Sequence, residues 1–145
     1  MMISFELNQT VGRRQPEDFW RGILRNVEKT LKIKKSGLIS LALVGEAAMK
    51  KMNRVYRRKN AVTDVLSFAE QDVQGGKIKP AVAGYWGEII ICYSQAVKQA
   101  KKNQRTVKQE LAWLLVHGVL HLLGYDHQDP VGDRQMRALE EKILG

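Results

Sequence analysis

With 145 residues, the chain is long enough for one domain with a substantial core, and we expect a single domain over residues 1–145. No apolar run approaches the roughly 20 residues that a membrane-spanning helix needs, and the first residues lack the basic segment and apolar core of a secretion signal. The single cysteine, Cys92, can form no internal disulfide. We therefore expect a soluble, cytoplasmic protein with no membrane partner.

The net charge is strongly positive. The chain has 24 Lys and Arg residues against 15 Asp and Glu residues, which gives +9 at pH 7. A basic surface attracts polyanions, of which nucleic acid is the commonest, although solubility alone also accounts for excess charge. Charge favours a nucleic-acid partner without selecting one.

The first third of the chain predicts a strand, a helix and a second strand. Ile3 to Leu7 alternates in the manner of a strand. Pro16 suits the first turn of a helix whose apolar residues recur with helical spacing up to Leu31. Leu38 to Val44 is an apolar run of strand length.

The middle third carries the densest basic cluster. A helix is predicted from Glu46 to about Tyr56, and Arg57, Arg58 and Lys59 extend it. Thr63 to Phe68 is predicted to be a strand, and Glu70 to Gly84 a loop. The apolar side of the helix comprises Met49, Met52, Val55 and Tyr56.

The last third predicts one strand and then only helices. Tyr85 to Tyr93 is a β-branched run that favours a buried strand, with Cys92 as a small buried side chain. Ser94, Thr106 and Asp133 are predicted to cap three successive helices. These elements indicate an α+β fold in which about five helices pack on a small, mixed four-stranded sheet.

All three histidines lie in the segment H-G-V-L-H-L-L-G-Y-D-H, from His117 to His127. On a zincin-like helix, His117 and His121 project from one face because they are four residues apart. Gly124 would end that helix in a left-handed conformation, and the turn can bring His127 to the same ion. Three imidazoles with one open position are typical of catalytic zinc. We predict one zinc ion per chain at these histidines, and nickel, copper and iron accept the same ligands.

The spacing H-x-x-x-H-x-x-G-x-x-H is that of the metzincin metalloproteases, except that Gly118 replaces their glutamate base. A glycine accepts no proton, which argues against a protease. Close approach of a substrate and tight packing against a neighbouring strand explain Gly118 equally well. Asp126 and Glu110 are candidate partners for the imidazole N–H groups, and solvated acids are an equal alternative.

Other motifs accompany the histidines. Y-R-x-K is present from Tyr56 to Lys59 and is followed by T-D-V-L-S-F from Thr63 to Phe68. G-[DE]-I is present from Gly87 to Ile89, and M-x-x-x-E from Met136 to Glu140. With these motifs the chain resembles the YbeY family of endoribonucleases, also described as rRNA maturation factors, over roughly residues 38 to 144. Ala69 departs from the pattern, since many members have proline there.

The resemblance implies a zinc-dependent, single-strand-directed endoribonuclease of the bacterial cytoplasm. It implies a part in maturation of the 16S rRNA 3′ end and in ribosome quality control, with single-stranded RNA, rRNA and the ribosome as partners. The family's metal ligands correspond to His117, His121 and His127, and its functionally important arginine corresponds to Arg57. Water and the adjacent 2′-hydroxyl are both chemically suitable nucleophiles.

Arg57 suits this function because a guanidinium can grip a phosphate and stabilise charge in the transition state. Taken without the resemblance, it is better explained as a solvated arginine or as the ion-pair partner of Asp64. The alternatives to a nuclease are a metalloprotease-like hydrolase and a non-catalytic ribosome-binding factor with a structural metal. Side chains predicted to track an RNA backbone are Arg58, Lys59, Lys98, Lys101, Lys102 and Arg105.

Overall fold

The structure is a computed structural model that describes residues 2–69, 84–125 and 129–145. The predicted loop from Glu70 to Gly84 therefore lies outside the described residues except for its last residue. Asp126 and His127 also lie outside them.

Four strands form one mixed sheet. They are β1 (Ile3–Gln9), β2 (Gly37–Val44), β3 (Val65–Ala69) and β4 (Tyr85–Cys92), in the spatial order β1-β2-β4-β3. β2 pairs in parallel with β1 on one side and with β4 on the other, whereas β3 is antiparallel to β4. The shortest of these strands, β3, thus forms an edge of the sheet beside β4.

Five helices complete the described part of the chain. They are α1 (Glu17–Leu31), α2 (Glu46–Arg57), α3 (Tyr93–Lys102), α4 (Val107–Leu122) and α5 (Pro130–Leu144). None of these helices combines the length and the apolar character needed to cross a membrane. The predicted α+β class, with a four-stranded mixed sheet and five helices, is confirmed.

Each face of the sheet packs into its own apolar cluster, because successive side chains of a strand point to opposite faces. Ile89 and Ile91 of β4 join the main core with residues of α1, α4 and α5. Ile90 and Cys92 face the other way and pack with Met49 of α2. The sheet therefore has the metal-motif helix α4 on one face and the basic helix α2 on the other.

Two predicted helix caps are wrong. Ser94 lies inside the first turn of α3, whose N-cap is Cys92, and its hydroxyl donates to Glu46 at 3.0 Å. Asp133 lies inside α5, whose N-cap is Asp129 with a side chain that accepts from the backbone N–H of Gly132. In both cases the helix begins earlier than the local polar residue suggested.

Candidate metal centre

Helix α4 begins at a complete capping box. The Thr106 hydroxyl accepts from the Gln109 backbone N–H at 3.1 Å, and the Gln109 side chain accepts from the Thr106 backbone N–H at 2.9 Å. Reciprocal bonds of this kind satisfy N–H groups that a helix start would otherwise leave without a partner. This cap is the one that the sequence predicted.

The inner side of α4 is fully packed. The predicted apolar stripe is confirmed, because each of its four leucines is less than 9 % exposed; these are Leu111, Leu114, Leu115 and Leu122. Gly124, with φ +96°, then takes the left-handed conformation predicted for it, and the Tyr125 N–H donates back to the Leu120 carbonyl. The two histidines of α4 are thus presented by a helix anchored at both ends.

His117 and His121 turn the same ring nitrogen toward each other. Their Nε2 atoms lie 3.2 Å apart, and the ring planes are inclined by 69°. Two nitrogens bound to one tetrahedral zinc, each at about 2.0–2.1 Å, are separated by roughly 3.3 Å. The spacing of the two Nε2 atoms therefore suits a shared metal ion.

Glu140 of α5 holds the other nitrogen of His117. Its Oε1 lies 3.1 Å from His117 Nδ1, and the glutamate is 4 % exposed. A carboxylate on Nδ1 fixes the ring orientation and turns Nε2 toward His121, which is the arrangement that outer partners give metal-bound histidines. This contact was missed from the sequence, where Glu110 and Asp126 were the candidates. The available signal was that Glu140 lies between Met136 and Ile143 on the buried side of an amphipathic helix.

Glu110 has a different partner. It is 2 % exposed and forms an ion pair with Arg105, Oε2 to Nη1, at 3.2 Å. The Arg105 guanidinium also lies 4.8 Å above the Trp113 ring. Glu110, Arg105 and Trp113 line a cavity of about 240 Å³ that His117 also borders, so this ion pair forms a wall beside the histidine.

The third predicted ligand, His127, lies outside the described residues. Within residues 2–69, 84–125 and 129–145, no group of three or more His, Cys, Asp or Glu side chains could hold a metal ion. The described part of the predicted site is thus the pair His117 and His121 with its carboxylate partner.

Arg57 is linked to α4 through strand β3. Its Nη2 donates to the Ser67 carbonyl at 2.6 Å, and the Ser67 hydroxyl donates to the Gly118 carbonyl at 3.4 Å. Gly118 directly follows His117, so the exposed arginine and the histidine pair are joined by one strand residue. Asp64 does not pair with Arg57 but accepts from the Val65 N–H at 2.8 Å.

The six predicted backbone-tracking cations are exposed, but two of them are engaged. Lys98 pairs with Glu46 at 3.0 Å, and Arg105 pairs with Glu110. These pairs reduce the charge that Lys98 and Arg105 offer to a polyanion.

Comparison with known proteins supports the resemblance. A family model described as "Endoribonuclease YbeY" matches residues 2–145. A protein of that name from Roseiflexus castenholzii is 46 % identical over 108 residues, which cover 74 % of this chain and 68 % of that one. One from Renibacterium salmoninarum is 36 % identical over 143 residues, with 98 % and 91 % coverage.

A solved structure shares the fold. The solution structure of TM1509 from Thermotoga maritima matches with a TM-score of 0.61 and 26 % sequence identity. The match covers 99 % of this chain and 90 % of that one, so the common architecture extends over nearly the whole domain.

Proposed function

This chain belongs to the YbeY family of endoribonucleases, and we propose that it is a metal-dependent endoribonuclease that cleaves single-stranded RNA. The observation that carries the proposal is the pair of Nε2 atoms 3.2 Å apart, with Glu140 behind one of the rings. A hydrogen bond between the two rings has the same N···N separation, so the test below measures bound metal directly.

We propose His117, His121 and His127 as the metal ligands and zinc as the ion. Neutral imidazoles suit zinc, and three of them leave one coordination position for a substrate or water. Nickel or another divalent transition metal fits the same ligands. When bound, such an ion polarises a phosphoryl oxygen and lowers the pKa of its water toward neutrality.

We propose Arg57 as the catalytic residue that binds the scissile phosphate. One of its N–H groups donates to Ser67, which fixes the guanidinium on β3, and a guanidinium has five N–H donors in all. The remaining donors suit a phosphate whose negative charge increases in the transition state. Gly118 has no side chain that could act as a general base, which favours this chemistry over that of a metalloprotease.

For the cellular role, we propose maturation of the 16S rRNA 3′ end and ribosome quality control in the cytoplasm. The support is family membership together with the net charge of +9, which suits an RNA partner. The ribosome is the corresponding partner assembly.

The test combines metal analysis with cleavage of a labelled single-stranded RNA by the wild type, His121→Ala and Arg57→Ala. We expect His121→Ala to lose metal and cleavage together. We expect Arg57→Ala to keep its metal and to lose about 10²–10³ in kcat, the usual cost of removing one donor that stabilises the transition state. Arg25→Ala is the matched control, because it also removes an exposed positive charge, in this case from α1.

Three outcomes would reject the proposal. Equal cleavage by all four preparations, each folded by circular dichroism, would identify a contaminating nuclease. Zinc-dependent peptide cleavage without RNA cleavage would favour a protease. Unfolding on metal removal, together with full function of Arg57→Ala, would indicate a ribosome-binding factor with a structural metal. Product ends distinguish the nucleophiles, since a 2′,3′-cyclic phosphate excludes direct attack by water.

A further inference from the structure

Tyr56 is exposed although the sequence placed it on the apolar side of α2. That helix buries Met49 and Asn53, whereas Tyr56 is 65 % exposed and Val55 is 56 % exposed. Among the described residues, the large hydrophobic side chains with substantial exposure include one aromatic ring, that of Tyr56. Most of the Tyr56 side chain is therefore open to contact with a ligand.

The Tyr56 ring is held in place from one side. It meets the Phe68 ring of β3 edge to face, with centroids 5.5 Å apart and an inclination of 64°. Phe68 in turn lies under the Arg57 guanidinium, at 4.8 Å from its centroid. The ring is therefore positioned before any ligand arrives, which lowers the entropy lost on binding.

The surroundings of Tyr56 are basic. Arg54, Arg57, Arg58 and Lys59 are exposed within three residues of it. Arg58 takes the left-handed conformation that ends α2, with φ 58°, so Arg58 and Lys59 lie on the turn beyond the helix, whereas Arg54 and Arg57 belong to its last turn. Positive charge around an open aromatic ring suits an anionic ligand that also has flat apolar parts.

The ring also lies beside Arg57. Phe68 contacts both residues, with its ring under the Arg57 guanidinium and edge to face with the Tyr56 ring. Phe68 packs on the α2 side of the sheet, whereas the Ser67 hydroxyl reaches Gly118 on the α4 side, so Arg57 is the link between Tyr56 and the proposed site. A polymer bound at Arg57 could thus place a neighbouring unit on Tyr56.

We propose that Tyr56 is a stacking platform for an unpaired nucleobase that flanks the phosphate bound by Arg57. This inference rests on the proposed function, because it takes the ligand to be RNA. All four bases of a single strand can stack on an aromatic side chain, while nearby cations contact the phosphates of the RNA backbone. Bases inside a duplex are already stacked on one another, so the platform selects single-stranded RNA by strandedness and not by sequence.

The test measures binding of a labelled single-stranded oligoribonucleotide by fluorescence anisotropy, in the His121→Ala background so that the RNA stays intact. Tyr56→Ala should weaken binding by between about 5-fold and 150-fold, the range for losing one stacked base. Tyr56→Phe should bind within about 2-fold of the parent, because it keeps the ring. Val55→Ala is the matched control, since Val55 is the exposed neighbour and should leave affinity unchanged.

Two further measurements separate stacking from charge and from folding. An abasic oligomer of equal length should bind the parent and Tyr56→Ala equally, because it has phosphates but no bases. The dependence of log affinity on log salt should not change in Tyr56→Ala, whereas Lys59→Ala should lower its slope by about 0.7. Tyr56→Leu keeps apolar bulk against Phe68 but has no flat ring. Weak RNA binding by this variant would therefore support stacking even if Tyr56→Ala were unstable.

Either of two results would overturn the platform. If the parent binds RNA and Tyr56→Ala and Tyr56→Leu bind it equally well, Tyr56 serves another purpose, such as contact with a protein, and the proposed nuclease function stands. If the otherwise unchanged chain neither binds nor cleaves RNA, the proposed function and the platform fall together. In the active chain, Tyr56→Ala should raise KM for the oligoribonucleotide more than it lowers kcat.

Discussion

At the residue scale, Gly118 shows how closely α4 lies against the sheet. A Cβ atom at this position would come within 2.7 Å of Ile89 Cγ2, and Ile89 is fully buried in β4. The sequence left two explanations for Gly118, which were close approach of a substrate and packing against a strand. The close approach of Ile89 supports packing against a strand. Gly118 also leaves the site without the glutamate base of a metzincin.

Gly118→Ala is expected to lower the free energy of unfolding by up to about 2 kcal/mol. Overpacking costs about 1–3 kcal/mol, and the better helix propensity of alanine offsets about 1 kcal/mol of it. Gly22→Ala in α1 is the control, because no atom lies within 4 Å of its added Cβ, and it should stabilise. Urea unfolding measures both. A stabilised Gly118→Ala protein would contradict the packing explanation, and a smaller loss in an Ile89→Ala background would support it.

Glu140 shows how one residue of α5 controls an imidazole on α4. If the metal prediction holds, Glu140→Gln should lower zinc affinity by about 10- to 100-fold, as other losses of a carboxylate behind a histidine ligand do. Glu141→Gln makes the same chemical change at an exposed neighbour and should leave the affinity unchanged. Competition with a chromophoric chelator gives both affinities, and identical values for the two variants would remove Glu140 from the site.

At the element scale, the turn after α2 determines where Arg57 lies. The buried side chain of Asn53 donates to the Ala61 carbonyl at 2.8 Å, and the Asn53 carbonyl accepts from the Lys59 N–H at 3.2 Å. These bonds fold the basic segment back toward β3, where Arg57 meets Ser67. The buried polar residue Asn53 thus stabilises the turn that follows α2.

Helices α2 and α3 are tied together by Glu46. Its Oε1 accepts from Lys98 Nζ and from Ser94 Oγ, each at 3.0 Å. The hydrogen bond from Lys98 first, and that from Ser94 second, hold the pKa of this carboxyl below its usual 4.5. The stabilising effect of the ionised carboxylate is small, because the group is open to solvent and screened.

A pH dependence follows from that lowered pKa. Since the folded pKa of Glu46 is below the unfolded one, its stabilisation is fully present above about pH 4.5 and is lost as pH falls through the folded pKa. Wild type should thus be slightly more stable than Glu46→Gln at pH 7, and the difference should vanish at lower pH. Denaturant unfolding at pH 7 and pH 3 tests this, with Lys98→Gln expected to reduce the same difference. A gap that stays constant with pH would contradict it.

At the scale of the whole molecule, the sheet brings distant segments together. Arg57 and His117 are 60 residues apart in sequence, yet Arg57 donates to the Ser67 carbonyl and the Ser67 hydroxyl donates to Gly118, the residue that follows His117. The antiparallel edge pairing of β3 with β4 makes this possible, because α4 packs across that edge of the sheet. Helices α2 and α4 thus lie on opposite faces of the sheet, and each of them contacts the edge strand β3.

The sequence by itself determined the parts that depend on local spacing. Helical and strand periods, the Thr106 cap, the left-handed Gly124 and the apolar stripe of α4 are each set by residues a few positions apart. The geometry that sets His117 against His121 is of the same kind, since one helical turn separates them. The roles of His127 and of zinc stay predictions.

Only the tertiary structure decided the contacts between elements. Glu140 reaches His117 across 23 residues of sequence, and Ser67 reaches Gly118 across 51. The exposure of Tyr56 is also decided by tertiary structure, because neighbouring elements determine which face of a helix is covered and the hydrophobic spacing of the helix does not. Packing of the core brings together residues that are far apart in sequence, and no local pattern specifies which side chains it brings together.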